Sequence, residues 1–201
     1  MKSPLRYQIT DFDCSSVSLI NCLTYLFERE EVPAELVRII TTFSLECYNE
    51  KGMLENNAYT KQLNYVVSKW VSEFARQKMI PLKSLYLTGE KIGLSMIVGC
   101  LKREGCVNVK TYRDGYEHYV MLTDIDDDYV YMFDPYYCYA SEYRNNPNVD
   151  VIVDMPFNYN RKVKLEHFLS EKKQDYMFGP VRDREIILFE RNDAVLEREF
   201  E

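Results

Sequence analysis

The chain has 201 residues, which suits one hydrophobic core and is short for two, because domains usually contain about 100 to 200 residues. Its composition, 46% hydrophobic and 28% charged, is that of an ordinary globular protein, so we expect one domain over residues 1–201 with residues 191–201 as a charged tail. The net charge of −7 argues against nucleic acid as a partner, since phosphate binding depends on clustered Lys and Arg.

The cysteines and the N-terminal sequence bear on the cellular compartment. The six cysteines form no CxxC pair and lie mostly among apolar residues, which is typical of reduced thiols: Cys14, Cys22, Cys47, Cys100, Cys106 and Cys138. The N-terminus lacks the apolar run of a secretory signal, and no stretch approaches the roughly 20 apolar residues of a membrane span. We therefore expect a cytoplasmic protein without a membrane partner; the sequence leaves its oligomeric state open.

Three helices are predicted in the first part of the chain. Apolar residues recur at intervals of three and four from Val17 to Phe27, which predicts a buried helix. Asp13 is its expected N-cap, and Cys14 would then lie in the first turn, where free amides and the helix dipole favour an anion. Pro33 marks the start of a second helix. A third would open at Asn56-Asn57 and close near Gln77, with Leu63, Val66, Val67, Trp70, Val71 and Phe74 on its apolar face.

Strands dominate the pattern after Pro81. We predict strands over residues 85–87, 107–112, 118–124, 129–134 and 185–190, helices over 93–103 and 164–170, and a long surface loop over 136–156. Asp126-Asp127-Asp128 is a tight-turn sequence that would join two strands as a hairpin. Helices followed by an antiparallel sheet predict an α+β fold with the first helix lying across the sheet.

The two histidines of the chain differ in their predicted settings. His118 opens a strand whose hairpin partner ends at Asp134-Pro135, so the imidazole and this carboxylate should lie close together at a sheet edge, where the acid can orient the base. A capping or turn role for Asp134 is the alternative. His167 lies in a short amphipathic helix, and we expect it to be structural. Because a histidine can activate a thiol, His118 and Asp134 make Cys14 a candidate nucleophile.

Gln8 lies six residues before Cys14, so its amide could reach a substrate carbonyl oxygen together with the Cys14 backbone N–H. The other five cysteines lack such a setting and are interpreted as packing residues. Zinc sites usually show closely spaced ligand pairs, and the acidic run at residues 124–128 lacks the glycine and glutamate of an EF-hand loop. We therefore predict no metal and no other cofactor.

Several segments together resemble a known family. They are Gln8 to Cys14 with the helix that follows, His118-Tyr119-Val120-Met121-Leu122 before an acidic hairpin, Phe133-Asp134-Pro135 and, less specifically, residues 158–163 and 184–189. Over most of the chain they are similar to the papain-like double-glycine peptidases that process bacteriocin leaders and to their stand-alone C39-like relatives in bacteria. The resemblance implies a papain-like cysteine peptidase fold. It also implies Gln8 as oxyanion-hole residue, Cys14 as nucleophile, His118 as general base and then acid, and Asp134 as orienting carboxylate.

This chain departs from the family pattern at two positions. Ser15 stands where members usually carry glycine, and Glu117 is an unusual neighbour for the histidine. The better-known members are joined to a transporter and an ATPase, for which the 201 residues contain neither an apolar span nor a phosphate-binding loop, so we do not expect export-coupled leader processing. The sequence predicts a peptide or amide hydrolase. The alternatives are a thiol acyltransferase that uses the same acyl-enzyme and a catalytically silent peptide-binding module, which Ser15 favours.

Overall fold

The computed structural model of the protein describes residues 1–44 and 60–193. Within them the helices are α1 (Cys14–Leu26), α2 (Ala34–Ser44), α3 (Thr60–Arg76), α4 (Leu94–Lys102) and α5 (Leu165–Phe168). The strands are β1 (Leu82–Thr88), β2 (Cys106–Arg113), β3 (Tyr116–Ile125), β4 (Tyr129–Phe133), β5 (Val149–Val151), β6 (Arg161–Lys164) and β7 (Glu185–Arg191). None of the helices in these residues is long and apolar enough to cross a membrane.

The strands form one sheet in the order β1-β7-β2-β3-β4-β6-β5, and all neighbours are antiparallel. The predicted α+β class is therefore confirmed. The predicted hairpin is also confirmed, because β3 pairs with β4 and the Asp126 carboxylate accepts hydrogen bonds from the backbone N–H groups of Asp128 and Tyr129. This acidic residue caps a turn, and β4 delivers Asp134 at its far end.

Apolar side chains cover both faces of the sheet. On one face α1, α2 and α3 pack against strand residues that include Cys106, Met121, Phe133 and Ile187. On the other, α4 and α5 cover a second set, which includes Val109, Leu122, Val130 and Val163. Helix α1 contacts β2 and β3, as predicted. Its N-terminus is consequently held close to the strand that carries His118.

Two predicted helical faces are partly wrong. In α1, Val17 and Ile20 are only half-buried, whereas Ser18 and Asn21 are fully buried. These polar residues are buried because they have partners: Ser18 Oγ donates to Asn108 Oδ1 (2.6 Å), and Asn21 exchanges hydrogen bonds with the backbone of Arg6. In α3 the indole of Trp70 is 41% exposed instead of facing the core. The predicted start of α3 at residues 56–57 and the charged tail beyond residue 193 lie outside the described residues.

The region after β4 holds more strand than predicted. Part of the expected surface loop forms β5, and the unpredicted strand β6 lies between β5 and β4. Because β6 covers the outer side of β4, the prediction that Asp134 lies at a sheet edge is wrong. Its side chain is fully buried, directly after an interior strand.

Candidate active site

Cys14 is the first residue of α1 and is half-buried, at the end of a loop that folds back on itself. The Asp13 carboxylate shapes this loop by accepting hydrogen bonds from the backbone N–H groups of Ile9 (3.0 Å) and Thr10 (2.9 Å). Asp13 occupies the N-cap position as predicted, but among the described residues its carboxylate bonds to no helical N–H. The amides of the first turn therefore stay uncapped by this side chain, on the side where the thiol lies.

His118 and Asp134 are in direct contact inside the protein. His118 Nε2 lies 2.6 Å from Asp134 Oδ1, and both side chains are buried, to 5% and 0% exposure. With Nε2 bonded to the carboxylate, Nδ1 is the ring nitrogen left for another partner.

The thiol of Cys14 is near enough to this imidazole to affect its pKa. Burial alone would lower the pKa of His118, but the charge and hydrogen bond of Asp134, together with a hydrogen bond and charge from Cys14, raise it to about 10. Burial would likewise raise the pKa of Asp134, yet His118, Arg161 and Tyr176 lower it to about 2. The raised pKa of His118 and the lowered pKa of Asp134 therefore favour a protonated imidazole paired with a carboxylate at neutral pH.

Asp134 is held by hydrogen bonds to several residues that the sequence analysis did not predict. The Asp134 backbone N–H donates to Asn160 Oδ1 (2.7 Å), and Asn160 Nδ2 donates back to the Asp134 carbonyl (2.8 Å). Asp134 Oδ1 also accepts from the Tyr136 N–H (2.7 Å), and Oδ2 accepts from Tyr176 Oη (2.7 Å). Asn160 and Arg161 belong to the segment 158–163, which carried part of the family resemblance without a role; Tyr176 gave no sequence signal.

Gln8 is tied to the same region through its backbone, since its N–H donates to the Pro135 carbonyl (2.8 Å). Its side-chain Nε2 donates to the Thr10 carbonyl (2.7 Å), which engages one of the two amide protons. Its Oε1 is buried without a hydrogen-bond partner among the described residues. The backbone thus anchors Gln8 beside Asp134, and its oxyanion role stays a prediction.

The two unusual residues have different environments. Glu117 accepts a hydrogen bond from Lys110 Nζ at 2.7 Å, and the lysine side chain is fully buried. Because an unpaired buried ammonium is costly, the structure gives Glu117 the role of its counter-ion. Ser15 is buried in α1, and its Oγ has no hydrogen-bond partner among the described residues.

The remaining candidates for chemistry are accounted for by packing. Cys22, Cys100, Cys106 and Cys138 are buried free thiols, and Cys47 lies outside the described residues. His167 Nε2 lies 2.8 Å from the Asp175 carbonyl, a structural contact. Residues 1–44 and 60–193 contain no group of three or more His, Cys, Asp or Glu side chains placed to hold a metal ion.

Comparison with known proteins supports the architecture. No protein-family model matches the sequence, and a search of curated proteins finds no similar sequence. Among solved structures, a candidate C39-like peptidase from Bacillus anthracis is similar, with a TM-score of 0.52 and 17% sequence identity. The match covers 92% of this chain and 93% of that one. At this identity the similarity shows the fold alone: the protein has the fold of this C39-like peptidase.

Proposed function

We propose that the protein is a cysteine peptidase that cleaves a peptide or amide bond through an acyl-enzyme on Cys14. One observation carries the proposal: a buried imidazole bonds to a carboxylate through Nε2, and the thiol at the start of α1 helps to raise the pKa of that imidazole. Such an arrangement can deprotonate the thiol and store its proton on the ring. The C39-like fold supports the same conclusion.

The proposal gives each group a role in the reaction. The Cys14 thiolate attacks the substrate carbonyl, and its own backbone N–H with the second amide proton of Gln8 stabilises the oxyanion. His118, held at Nε2 by Asp134, donates the Nδ1 proton to the leaving amine. A water molecule, deprotonated by the same nitrogen, then hydrolyses the thioester and regenerates the thiol.

The compartment is part of the proposal. The five cysteines in the described residues are free, and three of them, Cys22, Cys100 and Cys106, are fully buried in the core. Reduced thiols are typical of a cytoplasmic protein, and we propose that location for the peptidase.

The direct test is cleavage of a diverse peptide mixture, with new termini identified by mass spectrometry. We expect wild-type protein to generate new termini and Cys14→Ala protein to generate none. Adding a primary amine separates two outcomes, because an acyltransferase would yield amine adducts in place of free carboxylates. Peptide retention without cleavage would instead support the silent binding module and overturn the proposal.

Gln8→Ala should lower the rate of acylation by a peptide substrate roughly ten- to a thousandfold, because an oxyanion donor acts on the carbonyl transition state. Alkylation of Cys14 by iodoacetamide has no oxyanion and should proceed at the wild-type rate. The two rates are compared by stopped-flow acylation and by mass mapping of the alkylated peptide. An equal loss of alkylation would mean that Gln8 supports the Cys14 loop instead.

A further inference from the structure

The side of Asp134 that faces away from His118 is also occupied. Its Oδ2 accepts a hydrogen bond from Tyr176 Oη (2.7 Å), and Tyr176 Oη in turn accepts one from Arg161 Nε (2.8 Å). Arg161 and Tyr176 are buried to 1% and 0% exposure. A hydrogen-bonded chain therefore runs from a buried guanidinium to the carboxylate behind the imidazole.

We propose that Tyr176 is a positioning residue for the Cys14–His118–Asp134 site, with Arg161 fixing the direction of its hydroxyl. The inference rests on the proposed function. In this role the tyrosine holds Asp134 in the rotation that presents Oδ1 to His118, and it contacts neither the substrate nor the thiol.

The direction of the chain follows from the chemistry of its members. A guanidinium donates hydrogen bonds and accepts none, so the Arg161 Nε–H occupies a lone pair of Tyr176 Oη. The single hydroxyl proton must then point to Asp134 Oδ2. A carboxylate rotates easily about its last side-chain bond, and two bonded oxygens suppress this rotation. One oxygen is held by the Tyr136 N–H and the other by Tyr176.

Arg161 is itself fixed and cannot turn to take over the role of Tyr176. Its Nη1 donates to the Asn160 carbonyl (2.8 Å), and its Nη2 donates to the Tyr136 carbonyl (3.0 Å) and lies 2.9 Å from Cys138 Sγ. The same Nη2 is 3.8 Å from Asp134 Oδ2, an ion pair without a short hydrogen bond. The short contact to this oxygen is made by the tyrosine.

The surrounding charges keep Asp134 ionised. Arg113 and Tyr143 also interact with this group of residues, and the imidazole of His118 faces the carboxylate from β3. Burial would raise the pKa of Asp134, but His118 first, and then Arg161 and Tyr176, lower it. The hydroxyl therefore meets a carboxylate, which is the stronger acceptor.

The test uses Tyr176→Phe, which removes one hydroxyl and keeps the ring that packs on Tyr143. Alkylation of Cys14 by iodoacetamide at pH 7 should fall about three- to tenfold, the change expected for one hydrogen bond of ordinary net strength. In nitrogen-15 NMR spectra the buried Nε2–H proton of His118 should exchange faster with water, while the signals of His167 stay unchanged. A purely structural role would not produce that selective spectroscopic change.

A matched control is Tyr131→Phe, since Tyr131 Oη donates to the Asp126 carboxylate (2.8 Å) at the hairpin turn. It should leave alkylation at the wild-type rate. The decisive comparison repeats Tyr176→Phe in an Asp134→Ala background, where it should have no further effect on alkylation because no carboxylate is left for the hydroxyl to hold. If Tyr176→Phe fails to fold, Arg161→Lys serves instead and should also lower the alkylation rate, again with no further effect in the Asp134→Ala background.

The outcomes separate this inference from the proposed function. If Cys14 in the wild-type protein is alkylated no faster than Cys14 in the His118→Ala protein, the proposed function is wrong. If Cys14 depends on His118 and Asp134 but Tyr176→Phe leaves alkylation and Nε2–H exchange unchanged, only the role of Tyr176 is wrong. If Tyr176→Phe lowers the alkylation rate equally with and without Asp134, the proposed role of Tyr176 is also wrong, because the tyrosine would then act through another group.

Discussion

Cys14→Ala protein should lose peptide cleavage and covalent trapping by an electrophilic peptide, by at least about a thousandfold, while its melting temperature stays close to wild type. The loss follows because the alanine cannot form the acyl-enzyme. Stability is retained because the thiol is half-buried in the first turn of α1 and contributes little packing. Cleavage assays, intact-protein mass spectrometry and thermal unfolding measure the three quantities.

Cys22→Ala is the matched control, because this cysteine lies in the same helix and is fully buried. Removing its sulfur should lower the free energy of unfolding by about 1–2 kcal/mol through the cavity it leaves, with trapping at Cys14 unchanged. The experiment also includes Cys47→Ser, since residue 47 is outside the described part of the chain. Undiminished trapping in the Cys14→Ala protein would show that another thiol is the reactive one.

Asp134→Asn should lower the pKa of His118 from its raised value of about 10. Asp134 supplies the charge and hydrogen bond that overcome burial, and burial alone favours the neutral ring. An asparagine can also present an N–H to Nε2 and hold the wrong tautomer. Alkylation of Cys14 at neutral pH should therefore fall by about tenfold or more, to a rate close to that of an unactivated thiol. Peptide cleavage, which also needs His118 as proton donor, should fall by roughly a hundred- to ten-thousandfold.

The pKa change can be measured by NMR titration, because the chain has only two histidines and His167 provides an internal reference. The result should be a downward shift for His118 and an unchanged curve for His167. Equal titration of His118 in the wild-type and Asp134→Asn proteins would mean that the contact with Asp134 does not control its protonation.

The His118–Asp134 pair should also make the stability of the protein depend on pH. The raised pKa of His118 contributes stability that is complete below the ordinary value of 6.5 and is lost as the pH rises through about 10. The lowered pKa of Asp134 contributes stability that is present above 3.8 and is lost as the pH falls through about 2. The free energy of unfolding, measured by chemical unfolding from pH 5 to 10, should decline for the wild-type protein. The decline should be weaker for Asp134→Asn.

Local signals in the sequence were sufficient for much of the fold. The start of α1 at Cys14 and the β3–β4 hairpin follow from apolar spacing and an acidic turn, both of which act between near neighbours. Strand β6 was missed because it is four residues long and carries three basic side chains. Its position depends on pairing with β4 and β5, and no local pattern encodes such pairing.

The candidate site also has a part that the sequence predicts and a part that it does not. The start of α1 and one hairpin were enough to predict that Cys14, His118 and Asp134 form one site. The support behind Asp134 comes from Asn160 and Tyr176, which lie 26 and 42 residues away in sequence. Hydrogen bonds over such separations depend on the finished sheet, so their partners could not be chosen from the sequence.

The most direct measurement is the rate at which iodoacetamide alkylates Cys14 at pH 7, in wild-type and His118→Ala proteins, followed by mass mapping of the modified peptide. We expect wild-type Cys14 to react faster than a simple thiol such as glutathione, and at least about tenfold faster than Cys14 in the His118→Ala protein. A wild-type rate equal to that of the simple thiol and unchanged by His118→Ala would contradict an activated nucleophile at this position.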